Sequence, residues 1–191
     1  VSAVMKDPTT YEHVAPELVG NRRTILVSDQ AGKSNVVDRL TSAGITFDAA
    51  DTAIEHILRE VKRKESEGYS YDGVGASFEL LALRHLGQLP EFFGVEAYEV
   101  NVSNDRMLGT RSVAKLALVI DGETVETQGA GNGPINALDM ALRADLRRYA
   151  VYIDEMRLVD FKVRILNSGT EAVTRVTIES MDGEGRSWRT I

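Results

Sequence analysis

Between Gly87 and Gly94 the hydrophobic rhythm of the chain changes, and no single kind of regular element fits both rhythms. Before the break, Ile54, Ile57, Leu58 and Val61 recur at i, i+3, i+4 and i+7, the spacing of one helix face. After it, Tyr98, Val100 and Val102 alternate with polar neighbours, as a half-buried strand requires. The break itself, GQLPEFFG, carries a Pro, two Gly and few helix formers. A chain of 191 residues holds one large domain or two small ones. The break therefore divides it into residues 1–90, mostly helical, and residues 91–191, an α+β domain.

In the first part, Val1 to Gly20 carries Pro8 and Pro16 and reads as extended or turn structure. RTILVSDQAGKSN reads as a short strand and a turn at Gly32, with Ser34 or Asn35 capping the next helix through its side-chain oxygen. That helix carries Val36, Val37 and Leu40 and stops at Gly44. Asp48 or Asp51 opens a second helix, closed by KRKESEG at Gly68, whose mixed charges form a solvated face. A third, from about Val74 to Leu86, buries Phe78, Leu81 and Leu83.

In the second part, AYEVNVSN and RSVAKLALVI are strands, Asp121-Gly122 is a tight hairpin turn, and ETVETQGA is a third strand. GNGPINALDMALRADLRRYA follows as one helix, with Pro134 in its first turn and Ile135, Leu138, Leu142 and Leu146 on one stripe. The pattern then restarts. MRLVDFKVRILN places Phe161, Val163 and Ile165 on one strand face, TEAVTRVTIES is a second strand, and SWRTI begins a third after the turn MDGEG. The first unit spans about forty residues, and the same interval from Met156 runs past Ile191. The expectation is a tandem βββα domain whose second unit is truncated before its helix. One helix covers one sheet face only, so such units must bury apolar surface on each other or on a second chain, and a homodimer is expected.

Composition narrows the function. There is no cysteine, which removes disulfides, thiolate metal sites and cysteine nucleophiles and suits a reducing, cytoplasmic setting. A net charge of −7 argues against nucleic acid as a partner. No apolar run approaches the roughly 18–20 residues that span a bilayer, so no membrane partner is expected. The opening VSAVMKDPTT lacks the features of a signal peptide and starts without Met, as a fragment would. His56 and His85 fall on helices without a second ligand at metal spacing, and no metal site is expected.

The candidate binding feature is the run Gly129, Gly131, Asn132, Gly133, Pro134. It fits a strand-to-helix turn that needs permissive backbone. It fits equally a helix start whose bare N–H groups hold a carboxylate. With no Gly-Lys-Ser/Thr following, it is not a phosphate loop.

Three blocks carry a family likeness. TTYEHVAPELVGN with ILVSDQAGKSN resembles the accessory region of the citramalate synthase branch of the isopropylmalate synthase family. EGYSYDGVGASFELL resembles that branch's second accessory subdomain, and GAGNGPINALDMAL the regulatory domain of the whole family. The resemblance implies a parent acyltransferase whose TIM barrel, absent here, uses a divalent metal to condense acetyl-CoA with a 2-oxo acid. No cofactor is then expected on this stretch, nor catalysis by it alone, and the family's accessory catalytic His falls just before Val1. Tyr11 is the residue carried over, acting on the partner subunit's active site; Glu12 and His13 are chemically capable but have no assigned role. The helix-start reading puts Gly131, Asn132 and Gly133 on an amino-acid carboxylate, and the resemblance places that feedback effector at the dimer interface with Ile135, Leu138 and Leu142 around its side chain. The effector would be isoleucine for a citramalate-forming parent, which the accessory blocks favour, or leucine for an isopropylmalate-forming one. Two rival readings are a non-enzymatic amino-acid sensor and a dimerisation module whose pocket is filled by its own side chains.

Overall fold

The computed structural model describes residues 7, 14–21, 32–48, 52–169 and 171–191. Tyr11, Glu12 and His13, and the strand expected within RTILVSDQ, lie outside the described residues. The chain is α+β, as its two rhythms demand, with helices first and then two three-stranded sheets separated by further helical segments. Its elements group into two units, one of residues 1–89 with Leu158–Ile191 and one of Pro90–Arg157.

In the first unit, α1 (Lys33–Ser42), α2 (Ala53–Ser66) and α3 (Gly75–His85) bury Val36, Leu40, Ile54, Ile57, Val61, Phe78 and Ala82 together. The Tyr71 ring meets Phe78 edge to face with centroids 6.3 Å apart. All three helices end alike, on a glycine in the left-handed region (Gly44, Gly68, Gly87) whose successor donates back to the helix, as Ile45 N–H does to Leu40 O at 3.0 Å. The starts differ from the sequence reading. Gly32, not Ser34 or Asn35, caps α1, and the Asn35 side chain reaches back to accept from Gly32 N–H at 3.3 Å. Thr52, not Asp48, precedes α2, and its carbonyl accepts from Glu55 and His56.

The same unit holds the sheet β4 (Arg157–Ile165), β5 (Thr174–Met181) and β6 (Ser187–Thr190), in that order. Arg175 of β5 donates from Nε to Gly68 O at 2.6 Å, and Ile191 N–H donates to Ser77 Oγ at 2.8 Å. Phe161, Val163 and Ile165 alternate along β4 as expected, yet all three are exposed.

In the second unit, β1 (Gly94–Asp105), β2 (Gly109–Ile120) and β3 (Glu123–Gly131) form an antiparallel meander, and α4 (Pro134–Ala144) packs on it. Asp121 and Gly122 both take positive φ, the backbone a tight hairpin turn needs, and Ile120 pairs with Glu123 across it. Ser112, Ala114, Leu116, Leu118 and Ile120 of β2 face α4 with Val125 and Thr127 of β3. Register puts Tyr98 opposite Leu116 and Val102 opposite Ser112, so both lie on that same face. Of the alternating β1 set only Val100 joins the core; Tyr98 is 70% exposed and Val102 56%. The reason is lateral: α4 lies over β3 and β2 and reaches little of β1.

The expected single helix after Gly133 is also corrected. It ends at Ala144, where Asp145 turns extended, and continues as a 3-10 turn (Arg147–Tyr149) and a short α5 (Ala150–Ile153). Leu146 lies in the break and still enters the core, 1% exposed.

Candidate functional site

The strand β3 approaches α4 where both are stripped of side chain. A β-carbon on Gly129 would come within 2.2 Å of Ala141 N, and one on Gly131 within 2.7 Å of Ala137 N. Ala137 and Ala141 are fully buried against those glycines. The alanines let the helix lie flat, and the glycines let the strand pass beneath it. Beside them Ser112 Oγ and Thr127 Oγ1 are buried with no hydrogen-bond partner among the described residues.

At the end of this contact the chain turns into α4. Gly133 is the N-cap in extended backbone, Pro134 follows, and Gly133 O accepts from Ala137 N–H at 2.9 Å. Asn132 N–H donates to Asn136 Oδ1 at 3.2 Å, so one amide of the turn is already held by the protein. The Ile135 and Asn136 N–H groups meet no acceptor among the described residues. No acidic residue stands in the first turn. The positive end of the helix dipole thus faces solvent uncompensated, an arrangement that favours an anion.

The structure gathers Gly131, Asn132, Gly133 and Ile135 at this helix start, with Asn132 exposed and Ile135 40% exposed. Leu138 and Leu142 sit one and two turns further on, half-buried and packed on the sheet core. Asn136 was not singled out from sequence; the clue is a side-chain amide four residues beyond Asn132, at the reach of a first helical turn. A cleft of ≈ 580 Å³ runs over the middle of the sheet, lined by Glu99, Lys115, Glu126, Gln128 and neighbours, and includes none of the glycine-turn residues.

Elsewhere the electrostatics are local. At the β1–β2 hairpin tip, Asp105 Oδ1 accepts from Met107 and Leu108 N–H, which holds its carboxyl below the usual range and leaves both apolar side chains exposed. A hydrogen bond from Arg63 likewise lowers Glu60. Among the described residues no cluster of His, Cys, Asp or Glu is placed to hold a metal ion, and no helix is long and apolar enough to cross a membrane.

Comparison with known proteins agrees with this architecture. Residues 72–191 match the family described as the LeuA allosteric (dimerisation) domain, and residues 1–68 match the homocitrate synthase post-HMGL domain-like family. The (R)-citramalate synthase of Aquifex aeolicus is 44% identical over all of this chain, that of Geobacter sulfurreducens 41% and that of Synechocystis 40%. The chain covers 36% of the first of these relatives, 37% of the second and 36% of the third, so it spans about a third of their length. A flat Gly–Ala seam joining helix to meander, and a glycine turn opening that helix, thus belong to a chain that is a member of the LeuA allosteric (dimerisation) domain family and is similar to the C-terminal part of citramalate synthases.

Proposed function

We propose that this chain is the regulatory part of a citramalate synthase, an acyltransferase that condenses acetyl-CoA with pyruvate for isoleucine biosynthesis. It binds a branched-chain amino acid as feedback effector. The barrel, its divalent metal and the acetyl-CoA site belong to the parent outside this chain, and the chain alone is inactive. Tyr11 would act on the partner subunit's active site. The observation that carries the reading is the start of α4, where unpaired N–H groups with no neighbouring acid stand beside the exposed side chain of Ile135. A free amino acid presents a carboxylate for the former and an aliphatic chain for the latter. Membership of a family described as allosteric and dimerising supports both parts. A second copy of the chain, covering Tyr98 and Val102, would supply the wall that a single copy lacks.

Isoleucine is the preferred effector because the relatives are citramalate synthases. Leucine would go with an isopropylmalate-forming parent. Calorimetric titration of the chain with each amino acid tests the reading. Saturable heat with isoleucine, weaker with leucine, is expected; no heat with either overturns it.

One observation favours a second reading, a dimerisation module without a ligand. Asn136 already occupies the Asn132 amide, and packing alone requires glycine at 129 and 131. On that reading neither amino acid binds and the dimer persists.

A further inference from the structure

We infer that Arg143 is a positioning residue that reports the placement of α4 to the segment leading into β4. Its guanidinium, on a side chain 22% exposed, serves three directions at once. Nε donates to both Asp139 oxygens, at 3.0 and 2.9 Å. Nη1 donates to Ile153 O at 2.6 Å, and Nη2 to Met156 O at 2.9 Å. Ile153 is the last residue of α5, and Met156 immediately precedes β4.

The parts have unequal stability. Asp139 lies one turn before Arg143 on α4, so the carboxylate fixes the guanidinium to its own helix. The four-residue α5 is too short to persist on its own hydrogen bonds. Its terminal carbonyl, left without an intrahelical donor, accepts from Arg143 and from Met156 N–H, the latter at 3.0 Å. Neither side chain belongs to the proposed ligand set, yet both ride on the helix whose first turn carries it. A shift of α4 therefore alters the side-chain hydrogen bonds that fasten residues 153–156 to it, beside the packing of Ile153 on the same core. Lysine carries its three donors on one nitrogen and lacks the spread of the planar guanidinium needed to span the carboxylate and both carbonyls.

The signalling half of this inference rests on the effector reading; the tie itself does not. Hydrogen-exchange mass spectrometry on the chain and on Arg143→Met, Arg143→Lys and Asp139→Asn, with and without isoleucine, tests both. Without ligand, Arg143→Met should speed exchange across residues 150–157 by about tenfold, with the β2 core amides unchanged. Arg143→Lys should restore only part of the protection, and Asp139→Asn should fall between. With isoleucine, the wild-type change at 150–157 should vanish in Arg143→Met, while affinity by calorimetry stays within about twofold. Unchanged exchange at 150–157 in the unliganded variants overturns the tie, and an equal ligand response in Arg143→Met overturns the signalling. Should Arg143→Met not fold, Arg143→Lys and Asp139→Asn decide by the same readout. If the wild type gives no heat with isoleucine, the effector reading and the signalling fall together, and the unliganded comparison still judges the tie.

Discussion

Gly129 lies directly under Ala141, so that a β-carbon added to the strand residue would stand 2.2 Å from the helix residue's backbone nitrogen. Its obstruction is main chain throughout: Ala141 N, Ala137 O and Met140 C. Nothing there can rotate out of the way. Gly133, four residues on, has nothing within 4 Å of the same hypothetical atom and sits in extended backbone that any residue adopts.

The two glycines should therefore respond differently to alanine. Gly129→Ala should cost about 3 kcal/mol, the upper end of the range for overpacking, because helix and strand must separate. Gly133→Ala should change stability by less than about 0.5 kcal/mol. Urea unfolding of both variants checks this, and equal midpoints would refute the close seam. Gly133→Ala also serves as a clean probe of the amide site, since any loss of isoleucine affinity there cannot be blamed on unfolding.

The buried hydroxyls near the seam lead to the opposite sign. Ser112 Oγ and Thr127 Oγ1 have left water without gaining a partner among the described residues. Such a group costs about 1–3 kcal/mol. Ser112→Ala and Thr127→Val, the second nearly isosteric, should each stabilise the chain by about 1 kcal/mol. A higher urea midpoint is the expected reading, and a drop in both would mean that the hydroxyls do have partners.

How much of this was visible in the sequence depends on which force set each feature. Helix stops were legible, because Gly44, Gly68 and Gly87 answer a backbone demand that only the local chain determines. Helix starts were not. Several polar residues compete for each cap, and Gly32 and Thr52 won over better formers nearby. Alternation in β1 correctly put Tyr98, Val100 and Val102 on one face, but burial depends on where the covering helix lies sideways, which periodicity does not encode. The glycine turn was legible as a turn. That Gly129 and Gly131 are needed for contact with α4 requires knowing which helix residues lie above them. The role of Arg143 was not legible, for its targets are carbonyls ten and thirteen residues away with no sequence signature.

Tyr71 gives the chain a pH signature. Burial first, then the nearby Glu60 charge, push its phenol up to about 12 from an ordinary 10.0. The folded state thus keeps a proton that the unfolded state releases at lower pH. This contribution is fully present below pH 10 and is lost as pH rises towards about 12. Tyr71→Phe should flatten the decline of stability across that window relative to wild type. Thermal unfolding from pH 9 to 12 measures it, and parallel curves for the two proteins would show that Tyr71 is not the group.

Tyr98 and Val102 bear on assembly. They share the α4-facing side of β1 but stand beyond the helix edge, 70% and 56% exposed. Each large apolar side chain transferred from water to a packed interface stabilises it by about 1.5–3 kcal/mol. A second copy that covered this strip would gain from both residues without disturbing either fold. Placing a carboxylate in such an interface reverses the gain, because the charge must be desolvated without a partner. Tyr98→Glu should therefore weaken self-association by at least about 100-fold, or about 2.7 kcal/mol. The monomer should stay intact, since Tyr98 lies outside the buried core. Sedimentation equilibrium on wild type and variant, with circular dichroism as the control for folding, separates the possibilities. A wild-type dimer that survives Tyr98→Glu and Val102→Glu together would place the interface elsewhere and remove the wall proposed for the effector.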